Sequence, residues 1–407
     1  MFTKAGAAAA RLGFLRRLLD PRQRFLFIEL LPDAVHATSL RVWPRDRRVE
    51  IGKSWFVRPV SERPQAIMDA LRTALRRARF LRRPLAVVAF SPPLGATVHT
   101  SATLVRDVPY APISDGEFCA HINRGVRKLI DKHRGRAALK TGVSEPEILL
   151  TDLTLKGVRL DAHHVVNPVD FTAKTIELRF AATFAARPFV HALRSLLGAR
   201  RIALCGEGGA FSAHALAQGY GADRSFLFLE LLHDRTHVFI CDGGTVAYVD
   251  MLPWGLEQLL TRIEDAFAVG PAVARLMYQR YLARSVSAHF LREFERLMTG
   301  ECEVFFAMLS PVISEYEVSQ AYLSPRFALP DFLSTASFRN KVPGRVRIGV
   351  CTPDLLAQRL GIAVTGDSRV HPAHLFSAVA AVAACCFSPR NATLNTVLRQ
   401  QARWLLQ

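Results

Sequence analysis

Few residues in this chain have types and spacings that suggest chemistry. Gly206-Glu-Gly-Gly209 follows a strand-like run and precedes a helical one, the placement of a backbone anion cradle. A strand-to-helix turn needs glycine anyway, and Glu207 would repel a phosphate, so the turn is the favoured reading. Asp242-Gly-Gly has hairpin chemistry. His163-His164 suggests a metal, but no third ligand stands at a recognisable spacing. The seven cysteines form no CxxC pair, and several sit in apolar surroundings as inert thiols would. No nucleophile elbow, HExxH or P-loop is present. What remains is a pair of matching stretches. Residues 25–36 read FLFIELLPDAVH and residues 226–237 read FLFLELLHDRTH, identical at eight of twelve positions. Glu29 and Asp33 in the first match Glu230 and Asp234 in the second.

The elements around the two copies also match. After the first, residues 35–42 alternate as a strand, a polar turn follows at 44–47, and 49–57 reads as the next strand. After the second, 236–241 is a strand and 245–252 pairs back. Each meander leads to an amphipathic helix: 64–80, with Ile67, Leu71 and Leu75 opposite a basic face, and 255–267, with Leu259, Leu260 and Ile263 on one side. A further strand is expected at 84–90. Strand, hairpin, helix and strand, used twice, describes a duplicated ribonuclease-H-like lobe.

Between the copies, 95–106 reads as a strand. Ser114-Asp-Gly-Glu117 has capping-box spacing before a helix at 118–133. Strands at 147–155 and 174–184 and a helix at 186–197 complete a small α+β module, and 200–205 returns to the first lobe.

This order resembles that of FtsA, the bacterial cell-division actin homologue, and of its pilus-assembly relative PilM. The stretch 167–174 before a strand and helix, Val346-Arg-Ile-Gly349, and the small-residue helix at 374–387 fall where that family has similar segments. The resemblance implies an α/β actin-like fold with duplicated ribonuclease-H-like lobes and an inserted α+β module. The expected division is a basic amphipathic segment (1–23), first lobe (24–94), module (95–198), first-lobe return (199–222), second lobe (223–387) and a C-terminal amphipathic helix (388–407).

Actin-type ATPases cradle nucleotide phosphates in glycine-rich loops, because only glycine lets backbone N–H groups approach closely. The matching positions here are eroded. The resemblance places degenerate nucleotide contacts at Glu29, Asp33, Glu230, Asp234, Arg235, Thr236 and Ser324. Leu31 and Leu232 replace glycines, Pro32 removes a donor, and the adenosine-side segment 323–327 has no glycine. Glu29 or Glu230 could still hold magnesium, and Arg235 a phosphate. The expectation is nonetheless no cofactor, with ATP and magnesium as the alternative if the site works.

The chain has 407 residues, half of them hydrophobic, and a formal charge of +18. That excludes a disordered chain and favours an anionic partner, though an arginine-rich composition bias would give the same number. Basic residues cluster at 72–83 without interleaved stacking aromatics beyond Phe80, which disfavours nucleic acid. Residues 1–19 lack a clean apolar core and cleavage site, and no apolar run reaches the roughly 18 residues of a membrane span, the longest being 375–387. At the C-terminus, Leu394, Val397, Leu398 and Leu405 share a helical face with Trp404 at its edge and Arg399 and Arg403 on its flank. That pattern suits an anionic bilayer surface, with a terminal helix packed on the second lobe as the alternative, and the family resemblance implies a targeting helix at the same place. The expected protein is a cytoplasmic, membrane-peripheral scaffold that recruits a cytoskeletal or assembly partner, or copies of itself, in division or in pilus or secretion assembly. An active, polymerising ATPase and a nucleic-acid binder are the rivals.

Overall fold

The two repeated stretches become the central strands of two different sheets. β1 (Gln23–Leu30) lies antiparallel to β2 (Val35–Trp43), which pairs with β3 (Arg48–Val57). Helix α1 (Pro64–Ala78) buries Ile67, Met68, Leu71 and Ala74 against this sheet and turns Arg72, Arg76 and Arg77 outward. Each fully buried large side chain contributes about 1.5–3 kcal/mol, so that stripe holds the helix down. β4 (Leu85–Phe90) then runs parallel to β1. The computed structural model describes residues 23–61, 63–78, 84–91, 94–198, 202–221, 224–242, 245–329, 346–366 and 372–387. The basic segment expected before residue 23 and the helix expected at 388–407 lie outside the described residues.

The inserted module is a four-stranded antiparallel sheet. It comprises β5 (Gly95–Val105), β6 (Ile148–Leu160), β7 (His163–Val165) and β8 (Thr175–Ala186), in the order β5-β8-β6-β7, with its own apolar core under α2 (Asp115–Thr141). Ser114 caps α2 by accepting from Glu117 N at 3.1 Å. The Glu117 carboxylate does not close the expected box. It pairs instead with both ends of the buried Arg106 guanidinium, at 2.6 and 2.9 Å. The helix α3 (Arg187–Leu197) leads to β9 (Ile202–Glu207), parallel to β4, and then to α4 (Gly208–Tyr220).

The second lobe repeats the first. β10 (Phe226–Leu231) lies antiparallel to β11 (Thr236–Asp242), which pairs with β12 (Thr245–Leu252), and parallel to β13 (Gln320–Pro325), followed by β14 (Arg347–Val350). Its helices are α5 (Leu256–Phe267), α6 (Pro271–Leu282) and α7 (Ala288–Tyr316). By length and composition α7 could cross a membrane, contrary to the expectation of no such run. Its stripe of Phe294, Met298, Cys302, Phe305 and Leu309 instead packs into the second-lobe core with Trp254 and Ile263.

The expected second lobe does not hold its last residues. After α8 (Pro353–Leu360), β15 (Ala363–Gly366) pairs parallel with β3, so the first sheet reads β15-β3-β2-β1-β4-β9. The final helix α9 (Pro372–Cys386) lies between the lobes. Phe376, Val379 and Ala380 pack with Ala213 and Phe228, while Leu375, Ala378 and Val382 pack with Phe25, Phe27 and Val87. From His374 to Ala383 every residue of α9 is buried, so this stretch has no solvent side to present and packs against both lobes.

Candidate functional site between the lobes

The register of the two central strands is the same. Glu29 is the cross-strand partner of His36, and Glu230 of His237. The loops that follow repeat one hydrogen bond: Leu31 N donates to Ala34 O and Leu232 N to Arg235 O, both at 2.8 Å. The two copies are therefore one local structure, and both end in a glutamate facing the space between lobes.

Arg326 joins them. Its Nη1 lies 2.9 Å from Glu29 Oε1 and its Nη2 donates to Glu230 Oε1 at 2.7 Å. All three side chains are buried. His374 on α9 pairs with Glu29 Oε2, and the His36 ring stacks on His374 with centroids 3.3 Å apart. Burial alone would push the Glu29 carboxyl up, but Arg326 and His374 outweigh it and hold the group down at about 2. Glu230 is lowered too: burial opposes, while Arg326 and His237 prevail. Both carboxylates are thus ionised, and the guanidinium between them stays charged.

The first turn of α4 closes one side. A Cβ at Gly209 would overlap Glu230 Oε2, and one at Gly208 would stand 3.6 Å from both Glu29 Oε1 and Arg326 Nη2. The glycines at 208–209 thus do more than turn the chain: they bring a helix N-terminus, favourable to anions, against the two carboxylates. Glu207 points inward as well. Its Oε2 accepts from Thr97 N at 3.0 Å, and its Oε1 lies 3.7 Å from His237 Nδ1. At the mouth, Leu31, Ala34 and Leu232 form a small apolar cluster, so the two loops meet through side chains larger than the glycines of a phosphate cradle.

Of the positions picked out in the sequence, Glu29 and Glu230 converge, and Ser324 is the register partner of Glu230. The others are engaged elsewhere. Asp33 is exposed. Asp234 pairs with its neighbour Arg235, and Thr236 donates to Trp254 O at 2.7 Å. Leu394, Val397, Leu398, Arg399, Arg403, Trp404 and Leu405 lie outside the described residues. Arg326, His374, Glu207 and His237 were not singled out as site residues. His36 and His237 were visible only as identities within the repeat. His163 and His164 stand on the edge strand β7, with His164 Nε2 accepting from Arg159 at 2.9 Å, away from the cleft.

Two lobes of matching topology around a cleft, with a module inserted in the first, have a counterpart among solved structures. A structure of the PilM-PilN type IV pilus biogenesis complex aligns over 88% of this chain and 97% of that one, with a TM-score of 0.54 and 14% identity. The fold is the actin-like one. The ethanolamine utilization protein EutJ from Carboxydothermus hydrogenoformans aligns over 89% of each chain at 10% identity with a TM-score of 0.39. A Bacteroides thetaiotaomicron protein described as having an actin-like ATPase fold and unknown function covers 84% of this chain and 96% of its own, at 9% identity and the same TM-score. No protein-family model and no curated protein matches the chain. Within the actin-like fold, the cleft is the place where nucleotide-binding loops would lie. Here its centre holds an arginine between two glutamates.

Proposed function

We propose that this chain is an actin-fold scaffold that does not hydrolyse ATP and serves by recruitment in a membrane-associated assembly, of the pilus or secretion type or in cell division. The observation that carries the reading is the buried Glu29–Arg326–Glu230 bridge. A cation supplied by the chain itself is shared between both carboxylates. An entering polyphosphate would have to break that pairing, at about 3–5 kcal/mol for a buried ion pair, and would bring its own negative charge towards Glu29, Glu207 and Glu230. It would also have to part Leu31 from Leu232. These residues do not suit ATP with magnesium. The solved neighbour is a complex of PilM with PilN, which favours a protein partner for this chain as well. The amphipathic pattern at 391–407 supports attachment to an anionic bilayer.

Calorimetry with ATP and magnesium tests the central claim. No heat of binding is expected at micromolar protein. A Kd of about 1 µM, equivalent to about −8.2 kcal/mol, would require phosphate contacts that the bridge leaves no room for, and would overturn the reading.

A further inference from the structure

We infer that Glu207, Glu230 and His237 form a site for a divalent first-row transition metal of the zinc type, which ties strand β9 of the first lobe to strands β10 and β11 of the second. A scaffold without nucleotide has no need of such an ion, so the inference goes beyond the proposed function. The donor atoms are Glu207 Oε1, Glu230 Oε2 and His237 Nδ1, all within 4.8 Å of one another and all on buried residues. His237 Nδ1 stands 3.4 Å from Glu230 Oε2 and 3.7 Å from Glu207 Oε1. The first is a hydrogen bond at the long end of its range and the second is beyond it. The first matches the roughly 3.3–3.4 Å between ligands of a tetrahedral ion with bonds of about 2.0–2.1 Å, and the second is a few tenths of an ångström wider.

Each carboxylate uses one oxygen to hold its position and aims the other at the histidine. Glu207 Oε2 accepts from Thr97 N, whose Oγ1 in turn lies 3.0 Å from Thr183 Oγ1. Glu230 Oε1 accepts from Arg326 Nη2. Anchoring of this kind orients metal ligands before the ion arrives. Two further observations point to a ligand. Ser324 is the register partner of Glu230 in the parallel ladder and so stands on the same face. Its Oγ is fully buried and has no hydrogen-bond partner among the described residues, and a metal-bound water would supply one. Among the described residues the cleft also buries three carboxylates together, Glu29, Glu207 and Glu230, and a cation beside them lowers the cost of keeping them charged. A mixed nitrogen and oxygen donor set suits zinc better than magnesium or calcium.

The test uses the full-length chain, stripped with EDTA and titrated with Zn²⁺ by calorimetry and with Co²⁺ by visible absorption. Expected are one equivalent of either ion per chain, a Co²⁺ ligand-field band, and a Tm that falls on chelation. His237→Gln and Glu207→Gln should each weaken binding by at least about 10–100-fold, the range seen when even outer-shell support is lost. Asp33→Asn, on the exposed loop, should leave binding unchanged. Absence of Zn²⁺ and Co²⁺ uptake by the wild-type chain would overturn the inference. So would uptake that survives both ligand variants and disappears in His163→Ala. Should the ligand variants fail to fold, the wild-type stoichiometry and Co²⁺ band decide the matter alone.

Discussion

Arg326 and Ser91 occupy equivalent places in the two lobes. Ser91 N donates to Leu30 O at 3.1 Å and Arg326 N donates to Leu231 O at 2.8 Å, each one residue beyond the parallel neighbour of the central strand. The duplication therefore supplies the position twice and the arginine once. From the second lobe Arg326 reaches both glutamates, so the cleft is asymmetric in charge although its backbone is symmetric.

Removing that guanidinium should be costly. Arg326→Ala leaves Glu29 and Glu230 buried without their shared cation and should lower stability by about 3–5 kcal/mol, read from urea unfolding. Arg326→Lys restores charge but not the two-ended geometry, and should recover only part of the loss. An alanine variant as stable as wild type would show that the bridge is not needed to close the cleft.

Glu29 predicts a specific acid sensitivity. Its carboxyl ionises at about 2 in the folded chain against an ordinary 4.5, so the folded state favours the charged form. Its contribution is complete above pH 4.5 and is lost as pH falls from there towards 2, amounting to roughly 3 kcal/mol. Glu29→Gln should flatten the stability curve in that window while lowering the plateau at neutral pH. Equal slopes for the two proteins between pH 4.5 and 2 would refute the assignment.

The two glycines that begin α4 should respond differently to one methyl group. At Gly209 a Cβ meets Glu230 Oε2 and the Phe239 ring, and Gly209→Ala should cost about 1–3 kcal/mol. At Gly208 the nearest atoms lie 3.6 Å away, ordinary contact, and Gly208→Ala should be close to neutral. Paired thermal melts compare them directly.

For membrane attachment, the measurement is flotation of the full-length and 391–407-deleted proteins with anionic vesicles. Four aliphatic side chains, a tryptophan and two arginines are enough for reversible binding, at about 1 kcal/mol per arginine near the surface plus the apolar share. The deletion should abolish flotation, and salt should weaken the full-length protein only in part. Flotation that persists in the deleted protein would move the anchor elsewhere.

The duplicated lobes were legible in the sequence because strand register preserves spacing: the seven-residue step from Glu29 to His36 recurs from Glu230 to His237 in both sequence and ladder. The bridge was not legible. Arg326 lies within the quoted segment 323–327, but nothing local says that it reaches across to Glu29, and His374 meets Glu29 from 345 residues away. Glu207 is a misfit only beside a phosphate; in the fold it turns to Thr97 N and His237 instead, partners that its local sequence does not reveal. The return of β15 escaped notice for a related reason, since four residues of edge strand carry almost no periodic signal.

That return shapes how the chain is made. Arg47 donates to Gly361 O across a separation of 314 residues, and β15 pairs with β3 beside it. The first-lobe sheet therefore stays open at that edge while the module and second lobe are still emerging from the ribosome. During synthesis β3 presents unpaired backbone to its surroundings, and chaperone demand should be greatest in the interval before residues 363–366 emerge.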